Sequence, residues 1–389
     1  VRPADGTNGS MSPPPLRAKT TEADAKDQLL KTCLEASESL GLDVDQVQEL
    51  ARLAGCQTTE GRVRMQDLVD GAYNRWLGQE TPPPGTVPEE GHARAEATAP
   101  RATSRPSGKP MRKHALRRKR YAYVQQLYRR KRKACADLVL SGDWEKDKAV
   151  TSLGEQERFW GDLMEVNSTP DTRQPEDTHE PVWETIRPIT LEEFASSMKD
   201  AKDSAPGEDG MRRHDIHALS RDEVVAHMNL WMLCGCPPSC FRSGITCPIA
   251  KSANSTSPGE YRPITMGPFL CRLFHRVLTR RFNSDLPMTE RQKAFRKGDG
   301  LADNVFILRS VIDDCKRRHQ PLAACFLDVK KAFDSVSHQS ILIAAKRLGV
   351  PELLLQYLAN LYSGSVTRLR VDGKLGRVIR ARRGVRQGD

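Results

Sequence analysis

With 389 residues, 38% of them hydrophobic, the chain has room for two or three domains, yet only part of it can build a core. Its mean hydropathy is −0.58, no run approaches the roughly 20 apolar residues of a membrane span, and no signal-peptide pattern opens it, so no membrane partner is expected. The net formal charge is +11, and ten scattered cysteines fit reduced thiols better than a disulfide framework.

Residues 1–25 are rich in Pro, Ser and charge, and are expected to be disordered. Residues 26–79 have helical spacing in three pieces and predict a small helical module. The pieces are marked by Leu29, Leu30, Cys33 and Leu34, then Val44, Val47 and Leu50, then Met65, Leu68, Val69, Ala72 and Trp76. Residues 80–110, with Pro82-Pro83-Pro84-Gly85, predict a linker.

The positive charge is concentrated in one place. Residues 111–135 hold eleven Lys or Arg and no acid, which leaves 50 basic and 50 acidic residues in the remainder. The runs Arg117-Arg118-Lys119-Arg120 and Arg129-Arg130-Lys131-Arg132-Lys133 flank three tyrosines and an apolar seam through Val124, Leu127 and Leu138. A solvated charge run or an import signal would have a similar composition. Eleven uncompensated charges repel one another without an anionic partner, so a nucleic-acid-binding extension over residues 111–182 is the favoured reading. Its second half, residues 145–180, is polar and carries little signal beyond Phe159 and Trp160.

From residue 183 the pattern tightens. Thr190 and Glu193 form a capping box before a helix with Leu191, Phe194, Ala195 and Met198 on one face. Ser204-Ala205-Pro206-Gly207-Glu208-Asp209-Gly210-Met211 predicts a loop whose backbone can approach another chain closely. Cys234, Cys236, Cys240 and Cys247 lack the paired spacing of structural zinc knuckles and are expected to be core and loop thiols. Tyr261-Arg262-Pro263-Ile264-Thr265 precedes a helical stripe of Leu270, Leu273, Phe274, Val277 and Leu278, with Arg272, Arg276, Arg280 and Arg281 placed opposite. After Gln292-Lys293-Ala294-Phe295-Arg296-Lys297-Gly298 comes a helix over 304–311.

The most informative stretch is next. The apolar run Leu322 to Leu327 predicts a buried strand that leads into Asp328, with Phe333 five residues beyond. An acid at the mouth of a buried strand is costly unless it binds a cation or a proton, so it points to chemistry. Ser337 then caps a helix, Pro351 opens another, and Asp372-Gly373 turns a hairpin before Arg383-Gly384-Val385-Arg386-Gln387-Gly388-Asp389. Helices interleaved with strands imply an α+β fold.

In this order and spacing, the motifs over residues 183–389 resemble the reverse transcriptases of non-LTR (LINE-type) retrotransposons. Residues 111–180 are similar to the basic segment before the fingers in the site-specific branch with a restriction-type endonuclease. The resemblance implies the fingers and partial palm of a right-hand polymerase. It also implies a catalytic, metal-binding Asp328 with the Val329 carbonyl beside it, and two Mg²⁺ ions. Phe333 would be the ring that excludes a 2′-hydroxyl, Gln387 and Gly388 would position the nucleotide pair, and Arg262 and Arg296 would meet phosphate. Asp334 would be structural. The implied partners are an element RNA template, a DNA primer or target and deoxynucleoside triphosphates, in the nucleus or a cytoplasmic ribonucleoprotein.

A third block, an aromatic-Ala-Asp-Asp hairpin, is expected beyond Asp389. The chain therefore reads as a truncated polymerase, probed against two alternatives: a non-catalytic nucleic-acid-binding remnant and a group II intron-type maturase.

Overall fold

The computed structural model describes residues 20–78, 151–172, 178–252, 255–296 and 298–388, with scattered positions between 121 and 139. Helix α1 (Glu22–Glu35) starts at a capping box in which the Thr21 hydroxyl accepts from the Asp24 amide. Order therefore begins before residue 26, which corrects the boundary expected at 25; residues 1–19 lie outside the described residues. The short α2 (Ser37–Leu40), α3 (Val44–Leu53) and α4 (Thr59–Trp76) follow. Their buried faces include Leu29, Cys33, Val47, Leu50, Met65 and Val69, as the spacing predicts.

Helix α5 (Leu153–Met164) lies in the stretch whose sequence gave little signal, and a Ser152–Glu155 capping box starts it. Next come α6 (Leu191–Asp200), capped by Thr190 and Glu193 as expected, α7 (Arg213–Ala218) and α8 (Arg221–Cys234). Every residue of α8 from Val224 to Cys234 is buried, since α1, α2, α3, α6 and the following helices surround it. The loop after α6 makes its close approach within the chain itself. A Cβ on Gly207 would lie 2.7 Å from the Gly267 carbonyl carbon and the Pro268 nitrogen.

Strands β1 (Ser243–Ala250) and β2 (Tyr261–Met266) pair antiparallel. Helix α9 (Phe269–Asp285) buries Leu270, Leu273, Phe274, Val277 and Leu278 in the main core. Arg281, expected on the solvent side, is 1% exposed. It donates to the Thr185, Arg187 and Pro188 carbonyls and forks onto Glu193 at 2.9 and 2.6 Å, which compensates its buried charge.

Helix α10 (Gly300–Arg317), the four-residue α11 (Ala332–Ser335), α12 (His338–Arg347) and α13 (Glu352–Tyr362) lead into β3 (Val366–Val371) and β4 (Lys374–Arg380). Asp372 and Gly373, at φ of +51° and +80°, make the expected tight turn. The sheet order is β2-β1-β3-β4, with β1 and β3 parallel and the outer pairs antiparallel. Thr246 links the strands through its hydroxyl, 2.7 Å from that of Thr265 and 2.6 Å from that of Thr367. Trp160 and Met164 of α5 cover Leu369 and Ile379 to form a second, smaller core.

The expected strand over 322–327 is absent. The run has no regular structure and joins no ladder, and Leu327 is 91% exposed. Its residues have the local character of a strand, but a strand exists only when a neighbour satisfies its N–H and C=O groups. No described strand lies beside it.

Candidate active site

Two backbone segments and one strand edge meet where the sequence motifs converge. The first is the turn from Asp328 through α11, entered at Lys331 in a left-handed conformation (φ +56°, ψ +35°). The second is the loop 383–388. Main-chain hydrogen bonds join them: the Val385 amide donates to the Phe333 carbonyl and the Gly384 amide to the Val336 carbonyl, both at 2.7 Å. The His338 ring nitrogen Nε2 lies 3.0 Å from the Gly384 carbonyl. A Cβ on Gly384 would sit 2.8 Å from the Asp334 carbonyl oxygen, so only glycine permits this approach at φ +83°.

Gln387 joins all three parts. Its side-chain amide donates to Asp334 Oδ1 at 2.6 Å, while its carbonyl accepts from the Thr265 amide of β2 at 2.8 Å. Asp334 is buried, and burial raises its carboxyl pKa while the Gln387 amide opposes that shift. Its oxygen is engaged in holding the loop, in keeping with a structural role. Gly388 rests against the Thr265 carbonyl, 2.6 Å from where a Cβ would lie.

Phe333 is half exposed rather than in the core. Phe295 meets it edge-on, with centroids 6.0 Å apart, which brings the Gln292–Gly298 block to the same place. Beside Phe295, Arg296 donates to the Met288 carbonyl at 3.2 Å. Arg262 lies on β2 opposite Ile249, its side chain exposed. Phe333, Gln387 and Gly388 are thus brought together, with Arg262 on the adjoining strand and Arg296 reached through Phe295. Asp328 and Val329 lie on the exposed run before the turn.

Among the described residues no three His, Cys, Asp or Glu side chains converge to hold a metal. Asp328 offers one hard oxygen donor, suited to Mg²⁺ in kind, but one carboxylate does not fit a two-ion centre. In the basic segment, Arg117, Arg118, Lys119, Arg120, Arg130, Lys131 and Lys133 lie outside the described residues. Arg129 is exposed, and the Arg132 guanidinium stands 5.6 Å from the Tyr128 ring centroid.

Two lysines at the site escaped the sequence reading. Lys331 and Lys251 both donate to the Gly259 carbonyl, at 3.1 and 3.3 Å. Lys331 also faces Trp160 and Phe159, at 4.5 and 5.2 Å to the ring centroids. Its place between Asp328 and Phe333 is the available signal; Phe159 and Trp160, 172 and 171 residues upstream on α5, stand out in a polar stretch, but nothing in the sequence ties them to Lys331.

The family described as reverse transcriptase (RNA-dependent DNA polymerase) matches residues 249–389. The Pol polyprotein of the type-2 retrotransposable element R2DM of Drosophila melanogaster is 31% identical over 294 residues, 74% of this chain and 27% of that protein. The R2 Pol polyprotein of Bradysia coprophila is 27% identical over 366 residues, 92% of this chain and 40% of that protein. The R2 polyprotein of Popillia japonica is 36% identical over 207 residues, 53% of this chain and 29% of that protein. The chain thus spans between about a quarter and two fifths of these relatives. No helix among the described residues is long and apolar enough to cross a membrane. Residues 249–389 match the reverse transcriptase family, and the motifs and matches together support a non-LTR reverse transcriptase of the site-specific R2 type.

Proposed function

We propose that this chain contributes the fingers and part of the palm of an RNA-directed DNA polymerase that copies element RNA into DNA from a DNA primer. The observation that carries the reading is the joining of the 328–336 turn to the 383–388 loop. The two blocks that the resemblance assigns to catalysis and nucleotide positioning are held together by main-chain bonds and by Gln387. In this reading Phe333, half exposed beside the turn, bounds the space for the incoming sugar. Arg262 and Arg296 supply planar cations for triphosphate or template phosphate. Residues 111–135, including Arg117 to Arg120 and Arg129 to Lys133, hold the RNA through phosphate contacts.

Divalent ions supply charge neutralisation and a metal-activated hydroxyl in phosphoryl transfer. Of their ligands, the described residues would provide Asp328 and the Val329 carbonyl, with further acids to come from the third block. Primer extension tests the reading, measured on an RNA template in a polypeptide that continues through an aromatic-Ala-Asp-Asp block. Asp328→Asn should lower extension by several orders of magnitude while RNA binding and the melting temperature hold. Asp328 is exposed, so removing its charge should cost little packing. Retained extension with a lowered melting temperature would instead make Asp328 a turn-capping residue and sink its catalytic assignment.

A further inference from the structure

The upstream helix α5 reaches directly into the candidate active site. Trp160 is fully buried, and its indole N–H donates to Gln156 Oε1 at 2.7 Å one turn earlier. Gln156 in turn donates to the Thr151 hydroxyl at 2.5 Å, so the indole plane is fixed. Phe159 stands edge-on to that indole at 5.0 Å, and the two rings form a corner. The Lys331 ammonium occupies the corner and donates to the Gly259 carbonyl.

Lys331 is attracted by the Asp334 carboxylate at longer range, but its close partners are two aromatic faces and a carbonyl, which fix its direction. Its backbone is the left-handed residue through which the chain turns from Asp328 into Phe333. For a residue with a Cβ that conformation is uncommon and persists when the surroundings hold it. On the other side, α5 is anchored to the sheet. Arg377 forks onto Glu165 at 2.9 Å, the Arg382 amide donates to the Met164 carbonyl at 2.9 Å, and Arg383 donates to the Leu163 carbonyl at 2.6 Å. One helix thus grips both the turn before Phe333 and the approach to the 383–388 loop.

We propose that Phe159 and Trp160 clamp Lys331 and so set the shape of the Asp328–Phe333 turn, making Lys331 and Trp160 positioning residues for nucleotide addition. The inference rests on the polymerase reading above. It further assigns to the segment ahead of the fingers a role in the nucleotide site, beside any role in holding RNA.

Two measurements test it separately from that reading. The first needs no activity. After reductive ¹³C-methylation of the chain's lysines, the Lys331 resonance, assigned by its loss in Lys331→Arg, should be shifted upfield by the facing rings. It should move back towards the free-lysine position in Trp160→Leu. An unshifted resonance overturns the clamp.

The second is steady-state primer extension in the polypeptide continued through the third block. Lys331→Met, which removes no core side chain, should raise the KM for deoxynucleotides about tenfold while changing kcat less than twofold. Lys331→Arg should restore most of the loss, since a guanidinium also seats on aromatic faces. Trp160→Leu should produce the same KM rise, and the double variant should be no worse than either single one. Additive effects, or a fall in kcat with unchanged KM, overturn the positioning role, as do variants that extend primers normally. A shifted resonance in a wild-type protein that extends no primer overturns the polymerase reading, and the functional half of this inference with it.

Discussion

The helical body around α8 and α9 and the stretch from 287 to 335 have similar apolar content and opposite fates. In the body, Trp231, Phe274, Leu273 and Leu354 are buried, and even Arg281 is sealed in with its partners. In the other stretch, α10 has no buried residue, and Phe306 is 73% exposed, with Leu301 and Val305, one turn apart on the same face, exposed as well. Asp328 sits in the open stretch, and the residues that hold its turn in shape belong to the packed elements. On the proposed function, stability and chemistry would be carried by different segments, and substitutions should separate them.

The largest effect should come from the body. Arg281→Met takes a donor from three carbonyls and leaves the Glu193 carboxylate only the Thr190 amide and the more distant Arg187. Burial on its own would raise the Glu193 carboxyl pKa, but Arg281, the Thr190 amide and Arg187 together hold it below its ordinary value. Breaking such a pair costs about 3–5 kcal/mol. Urea denaturation should show that loss, and a change below about 1 kcal/mol would place Arg281 in solvent contact after all.

A smaller effect should follow from Asp209, in the loop before α7. Burial pushes its carboxyl up to about 6, with the Met211 amide and Arg272 opposing only in part. A raised folded-state value means that its contribution is fully present below the unfolded value, near 3.8, and is lost as pH rises through about 6. Asp209→Asn should therefore gain on the order of 2 kcal/mol over the wild type at pH 7, and nothing at pH 3. Denaturation curves at the two pH values check the sign. A variant less stable than wild type at pH 7 reverses it.

Within the open stretch the effects should fall on function. Phe333→Ala, in the polypeptide continued through the third block, should admit ribonucleotides roughly tenfold more readily, a difference of about 1.4 kcal/mol in discrimination. Its half-exposed ring should cost little stability. Unchanged discrimination would mean that the ring does not bound the sugar. Smallest of all, Val305→Ala on α10 should shift stability by less than about 0.5 kcal/mol, as exposed substitutions do. A loss of several times that would show that α10 is covered in solution.

Much of the body was legible because its signals are local. Thr190 with Glu193, Pro351, Ser337 and Asp372-Gly373 each mark an element end through bonds made within a few residues. The stripe of Leu270, Leu273, Phe274, Val277 and Leu278 gave the buried face of α9. Helix α5 carries an equally local capping box, Ser152 with Glu155, but the polar residues around it mask the apolar face that would mark it as a helix. Two other failures were of a different kind. Leu322 to Leu327 has strand residues but no ladder partner, and Arg281 has the spacing of a surface arginine but carbonyls converging from residues 185–188. Pairing and convergence are properties of the folded chain, beyond any window of sequence. The candidate site divides the same way: Asp328, Phe333 and Gln387 were readable as motifs, whereas the contacts of Lys331 with α5 were not.

The parallel pairing of β1 with β3 has a consequence for how the molecule is made. Thr367 and the Gly244 carbonyl that it bonds are 123 residues apart, and closing that loop is among the slowest events in the fold. During synthesis, the β1–β2 pair and the helices before it can assemble while one edge of β1 waits for a strand still inside the ribosome. Until residues 366–371 emerge, Ile245 and the unpaired backbone beside it present a template for any extended segment nearby. A nascent chain paused before β3 should therefore be the species most prone to aggregate and most in need of a chaperone.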